Sequence, residues 1–266
     1  MSGDVLRIDR DGPVLTLTID DPATRNALSP ALTRAIVAAC AAANEDIGVS
    51  CVILTGAGDV FCAGGNIKDM YARANHFAGN AAEIRRTYMT GVQTIARALY
   101  DLEVPSIAAV NGAAMGAGMD FATMCTMRIA SDRANFAESF IKLGLTSAAG
   151  GAWFLTRAIG TSAAAEMALT GDTIDAARAL EIGLVSRVVP HAALLDEARA
   201  LAARITRHPA HSIRLNTRLL RESARLDLPA ALEIASAMQA VVQQTGDQYE
   251  AVAAAVEKRN PDFKGC

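Results

Sequence analysis

Apolar and polar residues alternate with a period of two in residues 5–8 and again in residues 14–19. The turn-forming residues Asp11, Gly12 and Pro13 separate the two runs. A period of two is typical of half-buried strands, and a turn cluster between two such runs indicates a hairpin. The chain is therefore predicted to begin with a β-hairpin.

The apolar spacing becomes helical after Ser29 and Pro30 and remains so to about residue 44. Serine is a preferred N-cap because its hydroxyl accepts a hydrogen bond from a main-chain N–H of the first turn. Proline suits the first helical position, where its missing N–H is not needed. These two residues predict where the first helix begins.

Short apolar runs then predict buried strands at residues 51–55, 106–110 and 128–131. Helical patterns at residues 80–102 and 116–125 lie between them. Uninterrupted apolar runs fit strands that are covered on both faces. Strands that alternate with helices indicate the α/β class with crossover connections.

The strand pattern stops at about residue 192, and four Ala-, Leu- and Arg-rich helical patterns follow. They cover residues 191–207, 210–225, 229–244 and 247–258. We therefore divide the chain into an α/β core, residues 1–195, and a C-terminal helical region, residues 196–266.

Composition narrows the classes of function. The chain is 52% hydrophobic with a net charge of −3, and no long run of like charge occurs, so neither disorder nor nucleic-acid binding is expected. Five separated cysteines without a CxxC pair are typical of reduced thiols and not of disulfides or zinc. The N-terminus mixes charges, unlike a signal or transit peptide, and the longest central uncharged stretch, residues 104–119, is too short for a membrane span. We expect a cytoplasmic protein without a membrane partner.

Two glycine-rich segments follow the two central strands, at residues 61–68 and 111–120. Small residues allow a ligand to approach the main chain, and a helix that starts near Gly116 offers unpaired N–H groups. Two such sources of N–H groups are able to form an oxyanion hole. The spacing fits neither a dinucleotide loop, since position 121 is Phe, nor a P-loop nor a GxSxG elbow. From these residues alone, tight turns and close packing explain the glycines equally well.

The segments resemble a known family. The sequence VILTGAGDVFCAGGNIKDM from Val52 resembles the first CoA-binding segment of the enoyl-CoA hydratase/isomerase (crotonase) family. The sequence VPSIAAVNGAAMGAGMDFATMCTMRIASDRANFAES from Val104 resembles the second. The likeness extends from RNAL at Arg25 through TGDTIDAARALEIGLVSRVVP at Thr170 to EKRNPDFKG near the end, and so covers nearly the whole chain.

The resemblance implies a crotonase-like spiral of ββα units with a helical C-terminal trimerisation region and a CoA thioester as substrate. It assigns the oxyanion N–H donors to Gly65 and Ala117. CoA is part of the substrate, and neither a further cofactor nor a metal is expected. Homotrimers or hexamers are expected, because apolar stripes on the C-terminal helices exceed what one core absorbs: Leu215, Leu219, Leu220, Leu232, Ile234, Met238, Val241 and Val242. The residues that the resemblance assigns to CoA binding are Arg25, Ala27, Ala63, Gly64, Asn66, Ile67 and Lys68; Lys68 is also compatible with a solvated lysine at a helix start.

Asp120 is the first candidate for proton transfer. Hydratases of the family carry a glutamate three residues after the second oxyanion donor, and Asp120 stands at that position here. Positions i and i+3 share one face of a helix, so the carboxylate would point with the Ala117 N–H. A carboxylate in an apolar helix is costly to bury, which favours a catalytic role over an ion pair.

The second acid of the hydratases is missing. Phe140 occupies its position, and Ala148 stands where another branch of the family places its acid. Glu138, two residues before Phe140, is a substitute candidate, although a role in supporting the fold is the main alternative. One well-placed carboxylate therefore remains.

The function predicted is that of an enoyl-CoA hydratase, a lyase of the kind used in fatty acid metabolism. A single proton-transferring group also suits double-bond isomerisation, and a CoA-binding homologue without turnover is a third hypothesis. Weaker candidates are Cys62 as a nucleophile and His208 with His211 as metal ligands. His76 and His191 are interpreted as loop residues, and Trp153 with Phe154 as core.

Overall fold

The computed structural model describes residues 5–266, so the first four residues of the charged N-terminus lie outside it. Strands β1 (Leu6–Asp11) and β2 (Val14–Ile19) pair antiparallel, with Leu6 opposite Ile19 and Asp11 opposite Val14. The predicted hairpin is confirmed. Helix α1 (Pro30–Glu45) begins where predicted, because the Ser29 side chain accepts a hydrogen bond of 3.1 Å from the Leu32 N–H.

The strands form two sheets, and in residues 51–137 successive strands belong alternately to one sheet and to the other. The larger sheet continues from β2 through β3 (Cys51–Gly56), β5 (Ser106–Val110), β7 (Met127–Ser131) and β10 (Arg187–Val189), in that order. The smaller sheet has the order β4 (Val60–Cys62), β6 (Ala113–Met115), β8 (Asn135–Ala137) and β9 (Ile174–Asp175). Each central strand of the larger sheet is thus followed at once by a short strand of the smaller one. This repeat is the expected spiral of ββα units, and the expected fold class is confirmed.

Every residue of β3 and β5 is buried, as expected for parallel strands covered on both faces. Alternate side chains of these strands point to opposite faces of the sheet and belong to two different hydrophobic clusters. Ile53, Ile107 and Ile129 pack on helix α9 (Leu194–Thr206), whereas Leu54 and Ala108 face the main core with residues of α1. The period of two in a strand therefore produces a helix layer on each side of the sheet.

The helices between the strands are short. They are α2 (Ile67–Ala72), α3 (Ala81–Thr87), α4 (Gln93–Tyr100), α5 (Ala117–Met124), α6 (Gly151–Ile159), α7 (Thr161–Thr170) and α8 (Ala176–Glu181). The helical pattern predicted for residues 80–102 is interrupted by a π-helical turn, Tyr88–Val92, which joins α3 to α4. A π-helical turn holds an extra residue and is frequent at functional sites.

The C-terminal region contains α9, α10 (Ala210–Ser223), α11 (Leu228–Val242) and α12 (Gly246–Glu257). The expected boundary at residue 195 falls inside α9, the helix that covers the larger sheet. Helix α11 has no buried residue, and Leu228, Leu232 and Val241 on it are exposed. In residues 5–266 no helix combines the length and apolar character needed to cross a bilayer.

The interpretation of Trp153 as core is wrong. Its side chain lies at the surface of α6, where its ring stands edge-on to Tyr100 at 5.4 Å and carries the Arg157 guanidinium 3.8 Å above it. An indole surrounded by an aromatic ring and a cation is stabilised without full burial. Phe154 is half buried and packs against the main core.

One buried arginine holds the C-terminal region on the core. Arg214 of α10 is 7% exposed, and its guanidinium donates hydrogen bonds of 2.7–3.2 Å to four main-chain carbonyls at and after the end of α1: those of Ala43, Asn44, Asp46 and Val49. It also pairs with Glu103 at 3.1 Å. The carbonyls at a helix C-terminus lack partners within the helix and carry partial negative charge. Arg221, seven residues later, donates to the carbonyls of Tyr100 and Leu102 at the end of α4.

We expect Arg214→Met to lower the free energy of unfolding by about 3 kcal/mol, because it leaves several buried carbonyl groups without a donor. Arg218→Met is the matched control: Arg218 lies on the same helix, is exposed, and makes no ion pair with any residue in 5–266. Urea denaturation of both variants measures the difference. Equal midpoints for the two variants would show that Arg214 does not anchor the region.

Candidate active site

The two predicted glycine-rich segments meet main chain to main chain. Gly64 has a positive φ of 82°, and a Cβ atom there would overlap the carbonyl oxygen of Met115. A Cβ atom at Gly118 would in the same way overlap the carbonyl oxygen of Cys62. Glycine is required at both positions because only a residue without a side chain permits this approach. Close packing, one of the two explanations that the sequence left open, is therefore found at Gly64 and Gly118.

This contact brings the two predicted oxyanion donors together. Ala117 is the first residue of α5, so its N–H has no acceptor within the helix and lies at the positive end of the helix dipole. A Cβ atom at Gly64 would lie 3.3 Å from the Ala117 nitrogen, and Gly65 follows directly in the chain. The Gly65 N–H donates to no main-chain acceptor within residues 5–266. Two free N–H groups thus stand beside each other.

A cavity of about 350 Å³ opens over these N–H groups. Its wall includes the predicted residues Gly65 and Ala117 and is mostly apolar. The remaining lining residues are Arg25, Leu28, Ala63, Ile67, Met70, His76, Phe77, Tyr88, Val92, Ala113, Met115, Gly116, Ser139, Phe140, Lys142, Leu143, Leu145 and Ala149. Size and apolar character are those of a small-molecule site.

Two carboxyl groups lie against each other beneath this cavity. Asp120 of α5 is fully buried, and Glu138, which follows β8, is 2% exposed. Asp120 Oδ2 accepts a hydrogen bond of 3.4 Å from the Ser147 hydroxyl, while no N–H group and no alcohol among the described residues donates to either Glu138 oxygen. A Cβ atom at Gly151 would overlap Asp120 Oδ1, so glycine is needed there to leave room for the acid. The structure thus brings together the two predicted acids.

The pKa of both groups is raised. Burial raises the pKa of Asp120 well above its usual range, and the neighbouring charge of Glu138 adds to the effect. Burial also raises the pKa of Glu138, although its hydrogen bond with Asp120 opposes the rise. Two carboxylates in contact in a medium of low dielectric constant do not both ionise near neutral pH. The raised pKa values therefore favour a pair that keeps a proton.

No Asp or Glu among the described residues lines the cavity itself. The neighbours of the pair do: Gly116 and Ala117 precede Asp120, and Ser139 and Phe140 follow Glu138. The carboxyl pair therefore lies directly behind one wall. Phe140 stands on the cavity side of this wall, at the position where the resemblance leads one to expect an acid.

Three of the seven predicted CoA-binding residues line one rim of the cavity. Arg25, Ala63 and Ile67 line it, and Ile67 is 64% exposed at the start of α2. Lys68 is exposed on the first turn of α2, whose N-cap Asn66 accepts a hydrogen bond of 3.0 Å from the Lys68 N–H. Ala27 and Gly64 are buried behind this rim.

Sequence reasoning missed most of the lining residues, and three of these carry polar side chains that stand out: His76, Tyr88 and Lys142. His76 was interpreted as a loop residue, and it lies on a 3₁₀ turn, Asn75–Phe77, where it is only 5% exposed. Tyr88 reaches the cavity from the π-helical turn, and Lys142 reaches it from the segment after Phe140. The positions of His76 and Tyr88 depend on how the segment between α2 and α4 folds beside Gly65, which no local pattern reveals.

The comparisons with known proteins agree with this geometry. The sequence model of the enoyl-CoA hydratase/isomerase family matches residues 9–266. The chain belongs to the enoyl-CoA hydratase/isomerase family. A relative named 2,3-dehydroadipyl-CoA hydratase, from Escherichia coli K12, is 35% identical over 260 residues, covering 98% of each chain. A probable enoyl-CoA hydratase of Mycobacterium bovis is 36% identical over 265 residues, covering 99% of each. A crystal structure of enoyl-CoA hydratase from Bacillus anthracis superposes with a TM-score of 0.92 at 31% identity, covering 98% of this chain and 100% of that one.

This member of the enoyl-CoA hydratase/isomerase family has no acid at two expected places. Phe140 forms part of the cavity wall, and Ala148 contributes its main-chain carbonyl to a hydrogen bond of 3.1 Å from the Gln93 amide. The hypothesis of Cys62 as a nucleophile is wrong, because the thiol is fully buried and burial raises its pKa to about 12. His191 lies on a 3₁₀ turn, His191–Ala193, and its Nδ1 is 3.1 Å from the Asn111 carbonyl oxygen.

We expect the double substitution Asp120→Asn with Glu138→Gln to stabilise the protein more at pH 8 than at pH 5. The folded pKa values are raised, so the stability that the protonated pair contributes is present at low pH and is lost as pH rises through those values. The amides do not ionise and avoid this loss, which amounts to roughly 1.4 kcal/mol for each pKa unit of rise.

Denaturant midpoints at several pH values, with the exposed Glu233→Gln as control, measure the effect. If the difference in midpoint between the double variant and the unsubstituted protein does not grow with pH, the folded structure does not raise the pKa values of the pair.

Proposed function

We propose that the chain adds water across the 2,3-double bond of an enoyl-CoA thioester. The observation that carries this proposal is the pair of free N–H groups of Gly65 and Ala117 at an apolar cavity. The family and the names of its relatives support it.

The N–H groups would bind the thioester carbonyl oxygen. When the oxygen of water adds at Cβ, electrons move onto the carbonyl oxygen of the thioester and an enolate forms. The two N–H groups and the α5 dipole would stabilise the charge of this enolate. Collapse of the enolate then takes a proton at Cα. Removing one such donor typically costs on the order of 10²–10³ in rate.

The carboxyl pair would supply and receive the protons. Hydration needs one group that removes a proton from water and another that delivers a proton to Cα. A pair that keeps one proton would contain both, with Glu138 as the acceptor of the proton from water and Asp120 as the donor to Cα. This arrangement restores two acids at a site where Phe140 replaces one of them. In this proposal the wall of Ser139 and Phe140 moves to admit substrate to the pair.

Residues on the rim of the cavity and directly behind it would bind the CoA part of the substrate. Arg25, Ala27, Ala63, Gly64, Asn66, Ile67 and Lys68 would hold the adenine, pantetheine and phosphate parts of CoA. The chemistry needs no further cofactor and no metal, since main-chain N–H groups provide the polarisation. Four free cysteines are buried, which suits a cytoplasmic location.

Isomerisation is the second candidate function. A single shared proton is enough to move a double bond, because the same pair removes a proton at one carbon and returns it at another. Assay of a 3-enoyl-CoA beside crotonyl-CoA separates the two activities. A protein that binds CoA thioesters tightly but converts neither would be the non-catalytic homologue.

We expect Asp120→Asn to lower kcat for crotonyl-CoA by roughly 10²–10⁴, the usual contribution of general acid–base catalysis. The affinity for CoA itself is expected to stay the same, because the CoA contacts lie on the rim. The decay of crotonyl-CoA absorbance measures the rate. Asp196→Asn, an exposed acid on α9, is the control.

Phe140→Glu is expected to raise the hydration rate by placing an acid on the cavity wall. Near-full activity of Asp120→Asn would show that Asp120 is structural and would leave Glu138 as the acid. Loss of activity in Asp120→Asn without any gain in Phe140→Glu would favour a reaction other than hydration.

We also propose that the chain forms homotrimers or hexamers. Exposed apolar side chains concentrate on α11 and α12: Leu228, Leu232, Val241, Tyr249, Val252 and Val256. Exposed apolar side chains in such number on neighbouring elements of the chain are typical of an interface between protein chains.

Sedimentation equilibrium at micromolar concentration is expected to give three or six times the monomer mass of 27.8 kDa. The double substitution Leu232→Glu with Val241→Glu is expected to reduce this mass, because it places charges in the apolar face. Ala203→Glu, an exposed position on α9, serves as the control. A monomer at this concentration would contradict the proposal.

A further inference from the structure

The cavity offers few polar side chains to an acyl group. Arg25 and Lys142 are cations, and Tyr88 and Ser139 carry hydroxyl groups. His76 is the one lining side chain in residues 5–266 of a type that exchanges a proton near neutral pH. A nearly buried imidazole is an unusual component of an otherwise apolar wall.

His76 Nε2 has no hydrogen-bond partner within residues 5–266 and no contact with solvent. Buried polar atoms in proteins are almost always paired, and an unpaired one costs stability. Burial lowers the pKa of His76, although the charge of Asp69 opposes this, so the ring is neutral and carries one donor and one acceptor nitrogen. Because His76 itself lines the cavity, a ligand that the ring turns to meet would supply the missing partner.

The surroundings of the ring belong to the active site. The neighbouring Phe77 ring lies edge-on at 6.4 Å, and its Cζ would be 3.5 Å from a Cβ atom at Gly65. On the other side, a Cβ atom at Gly91 in the π-helical turn would lie 3.8 Å from the imidazole. His76 is thus held between the segment of the first oxyanion donor and the π-helical turn, whose Tyr88 and Val92 line the same cavity.

We propose that His76 is a specificity-determining residue that hydrogen-bonds an oxygen atom carried by the acyl group in this cavity. That oxygen stands at Cβ, where hydration places it, or further along the chain as a hydroxyl group. The inference rests on the proposed function only in so far as an acyl-CoA occupies the cavity. A site built to pair a polar group discriminates against ligands that lack it, because its own buried polar atom then stays unpaired.

Binding measurements test the role of His76 without any turnover. Acetoacetyl-CoA and butyryl-CoA differ by an oxygen at Cβ, and 6-hydroxyhexanoyl-CoA and hexanoyl-CoA differ by a hydroxyl at the chain end. None of the four carries the double bond that hydration requires. Isothermal titration of the unsubstituted protein and of His76→Phe gives the preference for the oxygenated member of each pair.

We expect His76→Phe to reduce one of these preferences about tenfold, the value of one hydrogen bond in a buried site. The pair affected identifies where the oxygen lies. His76→Gln keeps a donor and an acceptor and is expected to restore much of the preference. His208→Gln, an exposed histidine at the end of α9, is the control.

Unchanged preferences in both pairs for His76→Phe, with unchanged affinity for CoA, would overturn the proposal. A loss of CoA affinity together with a changed circular dichroism spectrum would identify a damaged fold, and His76→Gln then decides: full retention of the preferences by Gln supports the hydrogen bond, and their loss contradicts it. Failure of the unsubstituted protein to hydrate crotonyl-CoA would contradict the proposed function alone, because these measurements need no reaction.

Discussion

The active site depends on a contact between two stretches of main chain with no side chain between them. Gly64 lies against the Met115 carbonyl and Gly118 against the Cys62 carbonyl, so the ends of β4 and β6 approach as closely as backbone allows. This approach places the Gly65 and Ala117 N–H groups side by side. This close approach follows from the alternation of strands between two sheets, because a short strand of the smaller sheet comes directly after each central strand of the larger one. Any side chain at either glycine would separate the donors.

A second constraint is energetic. The Asp120–Glu138 pair lies in the core without enough donors to satisfy it, and both pKa values are raised as a result. Such a pair destabilises the fold, and the rest of the structure offsets the cost. The fully buried strands β3 and β5 and the carbonyl contacts of Arg214 provide that stability.

The sequence allowed the fold to be predicted, and it supplied candidates for the site. The hairpin, the helix that starts at Ser29 and the buried strands follow from local patterns, and the family resemblance identified Gly65, Ala117 and Asp120. The contact between Asp120 and Glu138 was not predicted, because it depends on the register of β6 beside β8 and on the absence of a side chain at Gly151. His76 was misinterpreted for a similar reason, since its burial arises from a π-helical turn that interrupts an apparently continuous helix. Trp153 was expected in the core because it is an aromatic residue in an apolar stretch, but it lies at the surface.

The replacement of an acid by Phe140 is then understood from the neighbouring residues. Glu138 precedes it by two positions, directly after β8, where its carboxyl group meets Asp120 behind the cavity wall. The carboxyl group thus lies in the layer behind the wall, and Phe140 makes this part of the wall apolar. An apolar wall excludes water and strengthens the hydrogen bonds made beside it. In such a cavity the few polar groups, among them the two N–H groups and the imidazole of His76, would have the largest influence on how a ligand is oriented.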